Sequence, residues 1–233
     1  MLRLFLIGLL FSFCFSSYSQ ENKNLSSDKG ELHLNIGLNY PKIGFTDSHG
    51  NQSLLSDFSN VSSNHLKLGY KNKLANKLDF MLSVSNNKYN ALSRFELSSS
   101  LYNYVKYDLD YLTTTIALSI DVALPDNIAL TPNIGLNYNY LISGFQFLNG
   151  NTYNLKENED FVPFSFSLNP GFYLSKKISP YVKFNLGYNY IYELQSNEFT
   201  TGQVYSVSSH TVFVGTSISI ASLKKENQRK NSR

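Results

Sequence analysis

Along most of the chain, apolar and polar side chains alternate with a period of two. Leu32, Leu34, Ile36, Leu38 and Tyr40 are interleaved with Glu31, His33, Asn35, Gly37 and Asn39. Ile134, Leu136, Tyr138 and Tyr140 alternate with Asn133, Gly135, Asn137 and Asn139. Val182, Phe184, Leu186, Tyr188 and Tyr190 alternate with Lys183, Asn185, Gly187 and Asn189. Successive side chains of a β-strand point to opposite faces, so each run predicts a strand with one apolar and one polar side. Comparable runs cover 65–70, 78–84, 109–122, 161–174 and 207–220, which makes eight strands and no helices after the first residues.

The spacing between the runs alternates as well. Long connections are expected at 41–64, 85–108, 143–160 and 193–206, and short ones at 71–77, 123–127 and 175–180. An up-and-down membrane barrel sorts its connections in this way, with long loops outside and tight turns on the periplasmic side. Alternation alone does not say which face meets lipid; the chemistry of the polar face does. That face carries mainly Asn, Ser, Thr and Gly rather than the Lys and Glu of a water-exposed surface. Six of the thirteen glycines, Gly37, Gly69, Gly135, Gly171, Gly187 and Gly215, fall mid-strand on it. Glycine weakens a strand, and its repeated placement on one face fits an interior in which eight strands leave little room. The polar face is therefore expected inside and the apolar face toward lipid. Near the same end of strands one, five and seven, Tyr40, Tyr138, Tyr140, Tyr188 and Tyr190 are expected to form an outer aromatic girdle.

Composition sharpens the picture. Charged residues make up 16% of the 233 residues and aromatic ones 15%, a balance suited to a lipid-facing surface. Met1-Leu2-Arg3 followed by the apolar stretch Leu4–Phe15 and Ser16-Ser17-Tyr18-Ser19-Gln20 reads as a secretory leader, 1–19, cleaved after Ser19. The stretch is too short for a membrane-spanning helix. Residues 20–30 would form a short lead-in, 31–220 the barrel, and 221–233 a basic periplasmic tail. The only cysteine, Cys14, lies within the leader, and bulky Phe13 before it argues against a lipid anchor there. The net charge of +3 belongs largely to Arg3 and to the tail, where 224–233 holds five positive charges and one negative. The barrel body lacks a basic footprint, which argues against nucleic-acid binding.

With its leader, eight alternating runs and loop parity, the chain resembles the small outer-membrane β-barrels, the OmpA/OmpX-like class also described as porin-family proteins. The resemblance spans the whole mature chain and is architectural. It implies an all-β, eight-stranded antiparallel transmembrane barrel in the outer membrane of a Gram-negative cell. It further implies a monomer in contact with outer-membrane lipids and lipopolysaccharide.

Candidate chemistry is sparse. Inside the barrel, Glu31, His33, Lys67, Asp79, Asp121 and Lys183 are expected to form a polar network. Unpaired charge in a narrow interior is costly, so these groups should neutralise one another and plug the lumen; a passive path for ions or small solutes is the alternative. Ser208 and His210 stand two apart on the outward face of the last run. An outer-membrane lipid-modifying enzyme is thereby a remote alternative, since no carboxylate is placed to orient the imidazole. No cofactor or metal spacing stands out, and the acidic segment Lys156–Asp160 reads as a solvated loop. Recognition of an unknown extracellular partner would fall to the loops, through Phe145, Phe147 and Tyr153, or Tyr89, Phe95, Tyr102 and Tyr104. Pro132, Pro163 and Pro170 are expected to be accommodated by bulges.

Overall fold

The computed structural model describes residues 30–46, 52–53, 62–75, 77–98, 101–157, 163–194, 197–198 and 204–220. Residues 1–29, which hold the expected leader and lead-in, and residues 221–233 lie outside them. Eight long strands build the wall: β1 (Glu31–Thr46), β2 (Ser63–Lys73), β3 (Leu78–Ser98), β4 (Leu101–Ile120), β5 (Ile128–Leu148), β6 (Phe164–Lys177), β7 (Val182–Glu193) and β8 (Val204–Ser219). Each pairs antiparallel with the next. The sheet closes through β1 and β8, whose register runs from Glu31↔Ser219 to Thr46↔Val204. Closure matters in lipid because an open edge would leave backbone N–H and C=O groups with nothing to bond.

The exterior carries the predicted apolar face. Leu32 to Tyr40 on β1, Leu112 to Ile120 on β4 and Ile134 to Ile142 on β5 each expose their apolar side chains over nine residues. A tilted transmembrane strand needs about 9–11 residues. Toward the short turns the wall ends at a tight turn with Asp126 and Asn127 both at positive φ. Asn149-Gly150, again at positive φ, turns the chain beyond the other end. Both are residue types that tolerate the left-handed region of a two-residue hairpin.

Three sequence expectations need correction. The connection expected at 85–108 is almost entirely strand: β3 runs to Ser98 and β4 begins at Leu101. The reason is an inversion of the alternation. Below Tyr111 and Leu112 on β4, Thr113, Thr115 and Ser119 point inward while Leu112, Ile116 and Leu118 point outward. Above, Val105, Tyr107 and Leu109 are buried inside and Lys106 faces out, with Asp108 and Asp110 half-buried on that side. Where the wall leaves the bilayer, water replaces lipid outside, and the preferred polarity of the two faces exchanges. The strand continues although its pattern reverses.

Second, Pro132 and Pro170 need no bulges. Pro132 pairs opposite Phe172 and Pro170 opposite Ile134, both within an unbroken β5–β6 register. On its other side Pro132 faces the gap between Ser119 and Val122, and Pro170 faces a gap in the β6–β7 ladder between Asn189↔Gly171 and Tyr192↔Leu168. Each missing donor sits where no ladder bond is required. The bulges fall elsewhere, at Asp110/Tyr111 opposite Ser143 and Leu141, and at Glu96/Ser98. Third, Tyr89 is not available to a loop partner; it is buried inside the barrel.

Candidate functional site

The lumen falls into three tiers. At the short-turn end, charges gather in pairs. Lys183 Nζ donates to Glu31 Oε1 at 2.5 Å, and Lys71 Nζ to Asp121 Oδ1 at 2.8 Å and Asp79 Oδ2 at 2.9 Å. The Thr131 hydroxyl donates to the same Asp121 oxygen at 2.7 Å, and the Lys71 ammonium reaches the Tyr173 phenol oxygen at 3.4 Å. His33 lies 3.6 Å from Glu31, and its Nδ1 is 3.0 Å from the Ser217 hydroxyl. Three carboxylates thus meet two lysines in one cluster. Of the six residues expected in the network, Glu31 with Lys183 and Asp79 with Asp121 are joined here, the second pair only through Lys71. That lysine was missed because the alternating run was ended at Tyr70; one more inward step from Lys67 and Gly69 reaches it.

The middle tier is a hoop of amides and hydroxyls. The Thr211 hydroxyl donates to Asn39 Oδ1 (2.7 Å), and Asn39 Nδ2 lies 3.4 Å from Asn87 Oδ1, which also accepts from His65 Nδ1 at 2.6 Å. Asn87 Nδ2 donates to Thr113, Thr113 to Asn139, and Asn139 to Ser165 and Ser167, all within 3.3 Å. The chain of bonds crosses β8, β1, β2, β3, β4, β5 and β6. A second, lower arc runs from Ser175 through Asn185 to Ser217. The abundance of asparagine follows from its chemistry: one planar head carries both donor and acceptor, so one residue can tie its strand to both neighbours.

Within this tier the inward glycines show their use. Phe213, buried at the centre, pairs with Gly37 on β1 and Gly187 on β7. A Cβ at Gly37 would lie 2.8 Å from Phe213 Cβ, and one at Gly187 would run into the Cζ of that ring, 2.8 Å from its Cε2 and 2.7 Å from Tyr173 Cβ. Asn35 likewise lies over Gly215 and Asn189 over Gly171. Gly69 faces Ser83, and Gly135 faces Thr115 and Ala117. In these places the inward side chain occupies the notch left by a glycine on an adjacent strand. Phe213 escaped the sequence reading because an aromatic residue breaks the polar character of the inner face. The glycines on both its neighbours were the signal.

At the long-loop end the lumen is stoppered by an apolar cluster. Ile43, Tyr89, Val105, Tyr107, Leu109 and Tyr111 from the wall meet Leu141, Leu155 and Val207. Leu155 follows the Asn151–Asn154 hairpin and is held by its amide on the Gly144 carbonyl at 2.9 Å. One acid enters this tier: Glu193 is buried and accepts the Val207 N–H.

The remaining candidates lie on the exterior. Tyr40, Tyr138 and Tyr140 are exposed, while Tyr188 and Tyr190 are half-buried against His210. The Tyr188 hydroxyl lies 2.6 Å from His210 Nδ1, and His210 sits between two tyrosine rings. Among the described residues no carboxylate contacts it, and none of the His, Cys, Asp and Glu groups converge as three metal ligands. Lys156 lies along the outer wall, donating to the Ile142 carbonyl at 3.2 Å with its ammonium 5.8 Å from the Tyr140 ring centre. Lys88 pairs with Asp110 at 3.5 Å on the same rim. Phe145 and Tyr153 are exposed at the long-loop end. The side chains of Phe95, Tyr102 and Tyr104 are outside the description, as are residues 158–160 of the acidic segment.

No protein-family model and no curated protein sequence matches the chain. Solved structures do resemble it. The outer membrane protease OmpT of Escherichia coli is 9% identical with a TM-score of 0.51, over 84% of this chain and 98% of that one. Neisserial surface protein A is 14% identical at 0.49, over 82% and 97%. OprG of Pseudomonas aeruginosa is 13% identical at 0.47, over 82% and 96%. At these identities the likeness concerns the fold alone. The chain has the fold of an outer-membrane β-barrel, closed here by eight antiparallel strands.

Proposed function

We propose that the protein resides in the outer membrane as a non-enzymatic barrel, contributing to envelope integrity or to surface interaction through its long-loop end. The observation that carries this reading is the filled lumen. Paired charges close the short-turn end, an amide hoop and Phe213 fill the middle, and an apolar cluster stoppers the far end. Eight strands leave an interior that side chains just fill, so the surfaces free to meet other molecules are the lipid-facing wall and the loops. The seat of His210 among tyrosines, with no carboxylate partner among the described residues, supports the non-enzymatic side of the proposal.

Planar-bilayer conductance of the barrel refolded in detergent tests it. Wild type should insert silently, whereas Phe213→Ala, which removes the central ring, should admit brief current steps. Regular, long-lived steps from wild type would overturn the plugged-barrel reading and favour a passive channel.

A further inference from the structure

Among the described residues one lumenal lysine is left without a counter-charge. Lys71 and Lys183 both meet carboxylates. Lys67, inward on β2 and 94% buried (6% exposed), has no ion-pair or hydrogen-bond partner among the described residues. Its neighbours across the register are Asn35 on β1 and Ser85 on β3, both neutral. The side chain borders a cavity of about 10 Å3, also lined by Asn35, Asn133, Asn185, Asn189 and Phe213. That is room for one water or one monatomic ion. The unpartnered amide oxygens of buried Asn35 and Asn189 lie over Gly215 and Gly171.

An ammonium removed from water with no opposite charge nearby is strongly unfavourable. A water would solvate Lys67 without neutralising it. A small anion would do both. The ammonium carries three donors, and the side-chain amides of the lining can turn to present their NH2 groups, because O and N exchange places at little steric cost. Polyatomic anions are excluded by the volume. We propose that the cavity beside Lys67 binds a small monovalent anion of the chloride class as the counter-ion of that ammonium. The site would be resident in the barrel wall's interior and independent of any conduction.

Bromide is the probe. Crystals of the detergent-refolded barrel grown in sodium bromide should show an anomalous peak within hydrogen-bonding reach of Lys67 Nζ, and Lys67→Met crystals should lose it. In solution, replacing gluconate by chloride at constant ionic strength should raise the Tm of wild type and leave that of Lys67→Met unmoved. Should Lys67→Met not refold, Lys67→Gln keeps a hydrogen-bonding head of similar length while removing the charge, and the same loss of peak and shift is expected. No peak in wild type, or a peak that persists in the uncharged variants (an adventitious ion only), would sink the proposal.

Discussion

At the scale of single residues the barrel interior depends on complementary sizes and charges across strands. Phe213 fits because Gly37 and Gly187 flank it. Gly187→Val should therefore destabilise the barrel by roughly 1–3 kcal/mol, as overpacking a tight interior does. Combining it with Phe213→Ala should recover part of the loss in urea titrations of the refolded protein; equal destabilisation with and without Phe213 would show that the glycine matters only for the backbone. Lys71 holds two carboxylates together. Lys71→Met leaves Asp79 and Asp121 unneutralised and should cost about 2–3 kcal/mol. That is less than the ~3–5 kcal/mol of a fully buried pair, because the Asp121 side chain is 38% exposed. Glycine placement and the residue types of the network were legible in the sequence; which lysine meets which acid was not, because partners such as Glu31 and Lys183 are 152 positions apart.

At the scale of elements, one strand serves two environments. On β4 the outward face passes from Leu112 to Asp110 just where the inward face passes from Thr113 to Tyr111. The bulge opposite, which gives β5 an extra residue between Leu141 and Ser143, keeps Leu141 and Gly144 both turned inward across that change. The boundary predicts a position-dependent response to charge. Leu136→Arg and Val214→Arg, in the apolar band, should each cost about 2–4 kcal/mol in vesicle refolding titrations. Asp108→Arg, above the boundary, should be within a few tenths of neutral. Similar costs at all three sites would mean that the band had been misplaced. Period-two reasoning found eight strands but shortened those that leave the membrane. It looked for a single polarity, and the strand geometry persists when the polarity reverses. The aromatic runs 85–108 were read as recognition loops for the same reason, whereas Tyr89 and Tyr107 belong to the stopper.

For the whole molecule, closure turns these local patterns into a solid wall with a filled interior. β1 and β8 meet over sixteen register pairs, and the short-turn end is tied further by Ile220 donating to the Gly30 carbonyl at 3.0 Å and Ser219 to the Tyr181 carbonyl at 2.9 Å. The sequence by itself determined the strand number, the face that meets lipid and the polar character of the inner face. These follow from the two-residue repeat of a strand and from the cost of exposing charge to hydrocarbon, both local properties. Only the tertiary structure decided the rest: the pairing of Lys71 and Lys183 with acids while Lys67 goes without, the seating of Phe213 between two glycines, and the apolar stopper beneath the loops. Those depend on which residues of distant strands share a level inside a closed cylinder. Register and tilt set that level only when the last strand meets the first.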